Sequence, residues 1–154
     1  MPEPRQRTFP DKMLFRALLG MVAIGLAACG RDEDKTDCGF WADKLARSGE
    51  IEMALAKVGQ LKCKEAVPVL KALFDQGLLQ ESVLDTLKEI GDPASATPIL
   101  KTALLVPNTA RQAAAMVREW KVAEVKPELV KVLQSDQLLE ARDAAFPALL
   151  ELDA

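Results

Sequence analysis

Three cysteines, Cys29, Cys38 and Cys63, hold most of the chemistry that this 154-residue chain can offer. The sequence contains no histidine and no tyrosine, so the commonest general base and the commonest protein metal ligand are missing. It also lacks a glycine-rich phosphate loop and the HExxH and CxxC motifs. These absences predict a protein that is not an enzyme and that uses no metal, no cofactor and no small-molecule substrate.

Cys29 ends a segment that has the layout of a secretory leader. Basic residues lie between Arg5 and Arg16, and an apolar run follows from Ala17 to Ala28. This run is shorter than the roughly 20 apolar residues that a membrane-spanning helix needs. It is typical of the apolar region of a signal peptide.

The last residues of this segment, Leu26, Ala27, Ala28 and Cys29, resemble the bacterial lipobox. In that motif two small residues let the backbone enter a peptidase cleft, and the thiol takes a diacylglycerol through a thioether. The resemblance implies that residues 1–28 are a signal peptide and that lipid-modified Cys29 becomes the mature N-terminus. The alternative is an uncleaved membrane anchor, or a cysteine that follows an apolar stretch by chance.

A lipid on Cys29 predicts where the protein acts. Two or more acyl chains hold a protein stably on a membrane, and the charged residues 29–38 suit a flexible stalk. Gly30, by resemblance to the enterobacterial sorting rule, favours the outer membrane. We therefore expect an exported, membrane-anchored lipoprotein that faces the periplasm or lies on the outer membrane.

The charge of the mature chain excludes one class of partner. Removing residues 1–28 takes away four of the 20 basic residues and two of the 23 acidic ones, which leaves a net charge of −5. A nucleic-acid partner requires a clustered basic surface. We therefore expect no nucleic acid and instead an unidentified protein partner.

Cys38 and Cys63 are the two remaining cysteines. In an exported protein they can form a disulfide, which requires their Cα atoms to lie within about 7 Å. Two free thiols are the alternative, and the sequence does not decide between the two states.

A repeat appears when the rest of the chain is aligned on its prolines. Pro68, Pro98 and Pro127 are 30 and 29 residues apart, and a leucine follows each of them two places later. Each proline is preceded by a short turn: Lys62-Cys63-Lys64, Gly91-Asp92-Pro93 and Lys121-Val122-Ala123. An internal period of this length indicates stacked structural units.

The spacing resembles HEAT repeats of the short type found in phycobilin-lyase-like proteins. The second unit resembles them best, through Ile90-Gly91-Asp92-Pro93. Gly91 there suits a left-handed helix C-cap, Asp92 an N-cap, and Pro93 a first turn. The resemblance implies an all-α fold, a short α-solenoid of antiparallel helix pairs over residues 39–154, preceded by the signal-peptide helix.

Apolar spacing predicts eight helices in this domain. Their expected ranges are 39–47, 50–61, 65–76, 80–90, 94–105, 109–120, 124–134 and 138–152, the last with a possible bend at Pro147. Because the chain stops after the first helix of a fourth unit, we expect the last helix to fold back as a cap. The alternative is an end on which Leu149, Leu150 and Leu152 stay partly uncovered.

Lysines mark a candidate binding face on the second helix of each unit. Lys71 and Lys101 stand three places after the proline and Lys131 stands four, so the three form a possible basic ladder for an acidic partner segment. The alternative is that their stems cover apolar surface while the ammonium groups stay in water. The sequence thus predicts a non-enzymatic interaction scaffold in the cell envelope. The second candidate is an accessory subunit or chaperone-like helper of an enzyme or modification system.

Overall fold

The computed structural model describes residues 36–47 and 49–154, which belong to one compact unit. The described residues form eight α-helices and no strand. The helices are α1 Cys38–Arg47, α2 Ile51–Gln60, α3 Val67–Asp75, α4 Gln80–Ile90, α5 Pro93–Ala103, α6 Pro107–Trp120, α7 Lys126–Gln134 and α8 Leu139–Asp153. The all-α prediction is confirmed, and each helix ends within two residues of its expected position.

The helices pack in two rows. The first row consists of α2, α4, α6 and α8, each in contact with the next, and α1 packs on α2 at its start. The second row consists of α3, α5 and α7, which pack on α4, α6 and α8 respectively. The core lies between the rows, because each helix buries one apolar stripe there.

Helix α6 shows how the sequence permits this packing. Its buried stripe includes Ala110, Ala113, Ala114 and Val117, which recur at helical spacing. Alanine side chains keep the helix narrow, so that α4 and α8 can both approach it. Thr109 is also buried, and its hydroxyl donates to the Ala103 carbonyl 2.9 Å away at the end of α5.

The prolines do not all lie at the start of a helix. Pro68 and Pro127 are the second residues of α3 and α7, and each helix follows a short 3₁₀ turn. Pro98 instead lies inside α5, which begins earlier because Pro93 opens it. Helix α8 continues through Pro147 to Asp153. Pro68, Pro98 and Pro127 therefore do not occupy equivalent places in their helices.

The last helix, α8, buries one of its faces and exposes the other. It packs against α6 and α7 and half-buries Leu149 and Leu152, as the expected cap would. Leu150, however, stays 57 % exposed, as do Leu139 at 59 % and Phe146 at 58 %. Of the three leucines that the sequence singled out, Leu149 and Leu152 are therefore half-buried and Leu150 is exposed.

Candidate interaction surfaces and the elements that position them

A disulfide joins Cys38, in the first turn of α1, to Cys63, in the turn after α2. Their Cα atoms lie 5.3 Å apart, and Cys63 is fully buried. Trp41 and Leu45 hold α1 on the core from the same side, and the Trp41 ring meets Phe40 edge-on with centroids 5.1 Å apart. The bond and these side chains together hold α1 against α2 and the turn that follows it.

Three turns that connect the rows share one backbone conformation. A residue in the left-handed conformation follows the end of α2, α4 and α6. These residues are Lys62, Gly91 and Lys121, with φ of 54°, 68° and 55°. The N–H of Cys63 donates to the Val58 carbonyl and that of Val122 to the Val117 carbonyl, at 3.0 and 3.2 Å. These are the bonds of a Schellman cap.

Neighbouring turns also contact each other. Asp92 accepts a hydrogen bond from the Ser95 hydroxyl at 2.9 Å, and Lys64 of the preceding turn lies 3.4 Å from the same carboxylate. The Ser95 bond and, to a smaller extent, Lys64 hold the pKa of Asp92 below its ordinary value, against the opposing effect of burial. Asp92 is the N-cap residue of α5 but makes no side-chain hydrogen bond to a helix N–H, and its carboxylate instead links the start of α5 to the turn after α2.

A second contact recurs between first-row helices, three residues before each left-handed residue. Lys88 Nζ lies 3.0 Å from Glu119 on α6, and Arg118 Nη2 lies 2.6 Å from Glu151 on α8. At the same place on α2, a side chain added to Gly59 would collide with the carboxylate of Glu89 on α4. We call each of these three pairs a rung: Gly59 with Glu89, Lys88 with Glu119, and Arg118 with Glu151. In every rung, a residue of one first-row helix contacts a glutamate of the next first-row helix.

The candidate basic ladder lies on the second row. Lys71 on α3 and Lys101 on α5 are half-buried, and Lys131 on α7 is exposed. Lys71 is paired with Asp75 one turn further along α3. For Lys101 and Lys131, no ion-pair partner occurs among the described residues.

A shallow groove of about 380 Å³ separates α3 from α5 beside this ladder. Its apolar lining comes from Val67, Pro68, Pro98 and Ile99, and its polar lining from Lys64, Glu65, Lys71 and Ser95. Lys101 and Lys131 do not line it. The groove thus combines an apolar floor with one of the three predicted lysines.

Sequence reasoning missed Phe146 as a surface residue. Its position was nevertheless readable, because Ala110–Ala114 of α6 repeats as Ala141–Ala145 of α8. In the same sequence alignment, Phe146 of α8 is the counterpart of Ala115 of α6, and Ala115 lines the crevice between α6 and α8. The Phe146 ring is accordingly on the surface, at 58 % exposure.

The remaining candidate residues are Leu26, Ala27, Ala28, Cys29 and Gly30, and they lie outside the described residues. In the part of the chain that is described, no helix is long and apolar enough to cross a membrane. No cluster of three potential metal ligands occurs there either.

No family model, curated protein or solved structure matches the chain.

Proposed function

We propose that this protein is an exported lipoprotein, anchored through Cys29, whose helical domain is a short HEAT-like solenoid that binds another protein at the cell envelope. Extended stacks of this kind present a long face of side chains to a partner without needing a catalytic pocket. In this view the lipid determines the place of action and the second row supplies the binding face.

The observation that carries the proposal is the recurrence of the left-handed turn at Lys62, Gly91 and Lys121. The turns stand 29 and 30 residues apart, each between a first-row helix and the next second-row helix. The rungs of Lys88 and Arg118 repeat at the same interval. A regular interval in both backbone and side-chain contacts supports a stack of similar units.

The lipid anchor is tested by following the full chain in its native membrane. Wild-type protein should sediment with membranes, and its mass should correspond to a chain that starts at lipid-bearing Cys29. Cys29→Ser should abolish the added lipid mass and release the processed protein, or leave an uncleaved precursor. The matched control is Cys38→Ser, which should remain membrane-bound. An unmodified Cys29 in the wild type would refute the anchor.

The binding face is tested by recovering partners from the native membrane after crosslinking. Lys71→Glu with Lys101→Glu should strongly reduce the recovery of a specific partner, because two positive charges of the second row become negative. The control is Lys57→Glu with Arg111→Glu, which makes the same change in net charge on α2 and α6. Equal recovery with both double variants would contradict a role for the lysine face.

A further inference from the structure

The disulfide joins two cysteines that differ in their exposure to solvent. Cys63 is completely buried in the turn after α2, whereas Cys38, the first residue of α1, is partly exposed. Thiol–disulfide exchange begins when a thiolate attacks one of the two sulfurs and the other sulfur leaves as a thiolate. While α1 is in place, a thiol from solvent can therefore approach Cys38 but not Cys63.

Attack on Cys38 is nevertheless unfavourable while α1 is in place. The leaving group would be the thiolate of Cys63, whose charge would form inside the core without water. The attacking thiolate would also approach the exposed carboxylate of Asp37, which lies beside Cys38 at the start of α1 and accepts a hydrogen bond from the Gly39 N–H at 3.0 Å. Burial of the leaving group and repulsion by this carboxylate both slow direct exchange.

Helix α1 is held in place by few side chains. Of its ten residues only Trp41 and Leu45 are buried, whereas α4, which packs between α2 and α6, buries five of eleven. The inner face of α1 contacts α2, the 3₁₀ turn Lys64–Ala66 and α3. Local opening requires the least free energy where few apolar contacts hold an element, so α1 can leave while the other helices stay folded.

We propose that α1 controls access to its own disulfide: a thiol reductant cleaves the Cys38–Cys63 bond only after α1 has moved away from α2, while the other helices stay folded. In this opened state, water and the reductant both reach Cys63, so either sulfur can be attacked and either thiolate can leave into solvent. The inference goes beyond the proposed function, because it requires neither the lipid nor a partner.

The exchange balances with a dithiol such as dithiothreitol. One thiolate of the reagent attacks a cysteine sulfur, the S–S bond breaks, and the other cysteine leaves with the electron pair and takes a proton from water. The second thiolate of the reagent then attacks the mixed disulfide and releases the first cysteine. Two electrons and two protons pass to the protein, and dithiothreitol becomes its cyclic disulfide.

The test measures how fast dithiothreitol reduces the folded full chain, by alkylation of the released thiols and mass spectrometry. Every sample carries Cys29→Ser, so that the thiols counted are those of Cys38 and Cys63. Trp41→Ala removes the larger buried side chain of α1 and should accelerate reduction at least about tenfold. Trp41→Phe keeps an aromatic ring there and should accelerate it less. A rate that does not respond to Trp41→Ala would show direct attack and would overturn the proposal.

Leu129→Ala tests whether the opening is local. Leu129 is completely buried in α7, which packs on α8, so its truncation lowers the stability of the whole domain without loosening α1. We expect this variant to be reduced at nearly the wild-type rate. Thermal unfolding verifies that each variant is folded at the assay temperature. An acceleration equal to that of Trp41→Ala would show reduction through global unfolding, and would overturn the proposal.

Hydrogen exchange of the oxidised protein with native Trp41 gives an independent measurement. The amides of α1 should exchange at least about tenfold faster than the most protected amides of α4 and α6, because α1 opens by itself. Equal protection of α1 and α6 would mean that α1 opens only with the whole domain, which would also overturn the proposal.

Discussion

Lys62 and Lys121 adopt nearly the same left-handed backbone conformation, with φ of 54° and 55°, in the turns after α2 and α6, which lack a glycine at this place. The third turn has Gly91 at this place. A residue with a Cβ is held in this conformation at a cost of roughly 1 kcal/mol, so the two lysines are maintained by the helices on either side of them.

Glycine at either lysine position should therefore stabilise the protein. We expect Lys62→Gly and Lys121→Gly each to raise the free energy of unfolding by about 0.5–1 kcal/mol, measured by urea denaturation. Gly91→Ala should lower it by a similar amount. Lys57→Gly, inside α2, is the control and should destabilise by about 1 kcal/mol. Loss of stability in both turn variants would contradict the shared geometry.

The disulfide should stabilise the domain mainly by restricting the unfolded chain. Its cysteines are separated by 25 positions, and the chain-entropy relation gives about 3–4 kcal/mol for a loop of that size. We expect a reducing agent to lower the free energy of unfolding by an amount of that order. Cys38→Ala should lower it similarly and should make it insensitive to the reducing agent. Complete alkylation of both thiols in unreduced wild-type protein would refute the bond.

Asp92 should make stability depend on pH in the acid range. Its pKa in the folded protein is lowered, first by the Ser95 hydrogen bond and then by Lys64, whereas an unfolded aspartate titrates near about 3.9. The stabilisation is thus present above the unfolded pKa and is lost as the pH falls through the folded pKa.

The stability difference between wild type and Asp92→Asn should therefore be larger at neutral pH than in strong acid. Denaturation at a series of pH values measures this difference. Ser95→Ala removes the main cause of the shift, so it should move the NMR titration midpoint of Asp92 upward. A midpoint unchanged by Ser95→Ala would contradict the assignment.

The rung between α6 and α8 should behave as an exposed ion pair. The hydrogen bond and charge of Arg118 lower the pKa of Glu151, and Glu151 raises the pKa of Arg118. A double-mutant cycle with Arg118→Met and Glu151→Gln should yield a small favourable coupling energy that decreases with added salt. A coupling that does not change with salt would show that the contact is not mainly electrostatic.

Helix positions were predictable because each depends on a local pattern. The apolar spacing of Val83, Leu84, Leu87 and Ile90 in α4, for example, specifies a helix and its buried face together. The disulfide was not decided, since spacing along the chain does not fix the distance between Cys38 and Cys63. That distance depends on how α1 docks, which is a tertiary property.

The surface was predicted less well than the core. Lysines at equal register pointed to the second row, but pairing of Lys71 with Asp75 reduces the charge that it offers. The apolar end was predicted only in part, because the expectation concerned Leu149, Leu150 and Leu152 and did not include the exposed Phe146. Helix propensity is a property of the local sequence, whereas the exposure of a side chain depends on which other helices pack against it.

The disulfide also sets the path of mechanical force through the domain. Any pull applied to the chain before Cys38 passes through a covalent bond into Cys63, which lies buried in the turn after α2. Residues 38–63, which include α1 and α2, thus lie within a covalent loop. A pull on the preceding chain therefore cannot unfold α1 turn by turn from its N-terminus. A force that pulls on the chain before Cys38 therefore acts directly on the turn after α2, and α1 stays in place under that force.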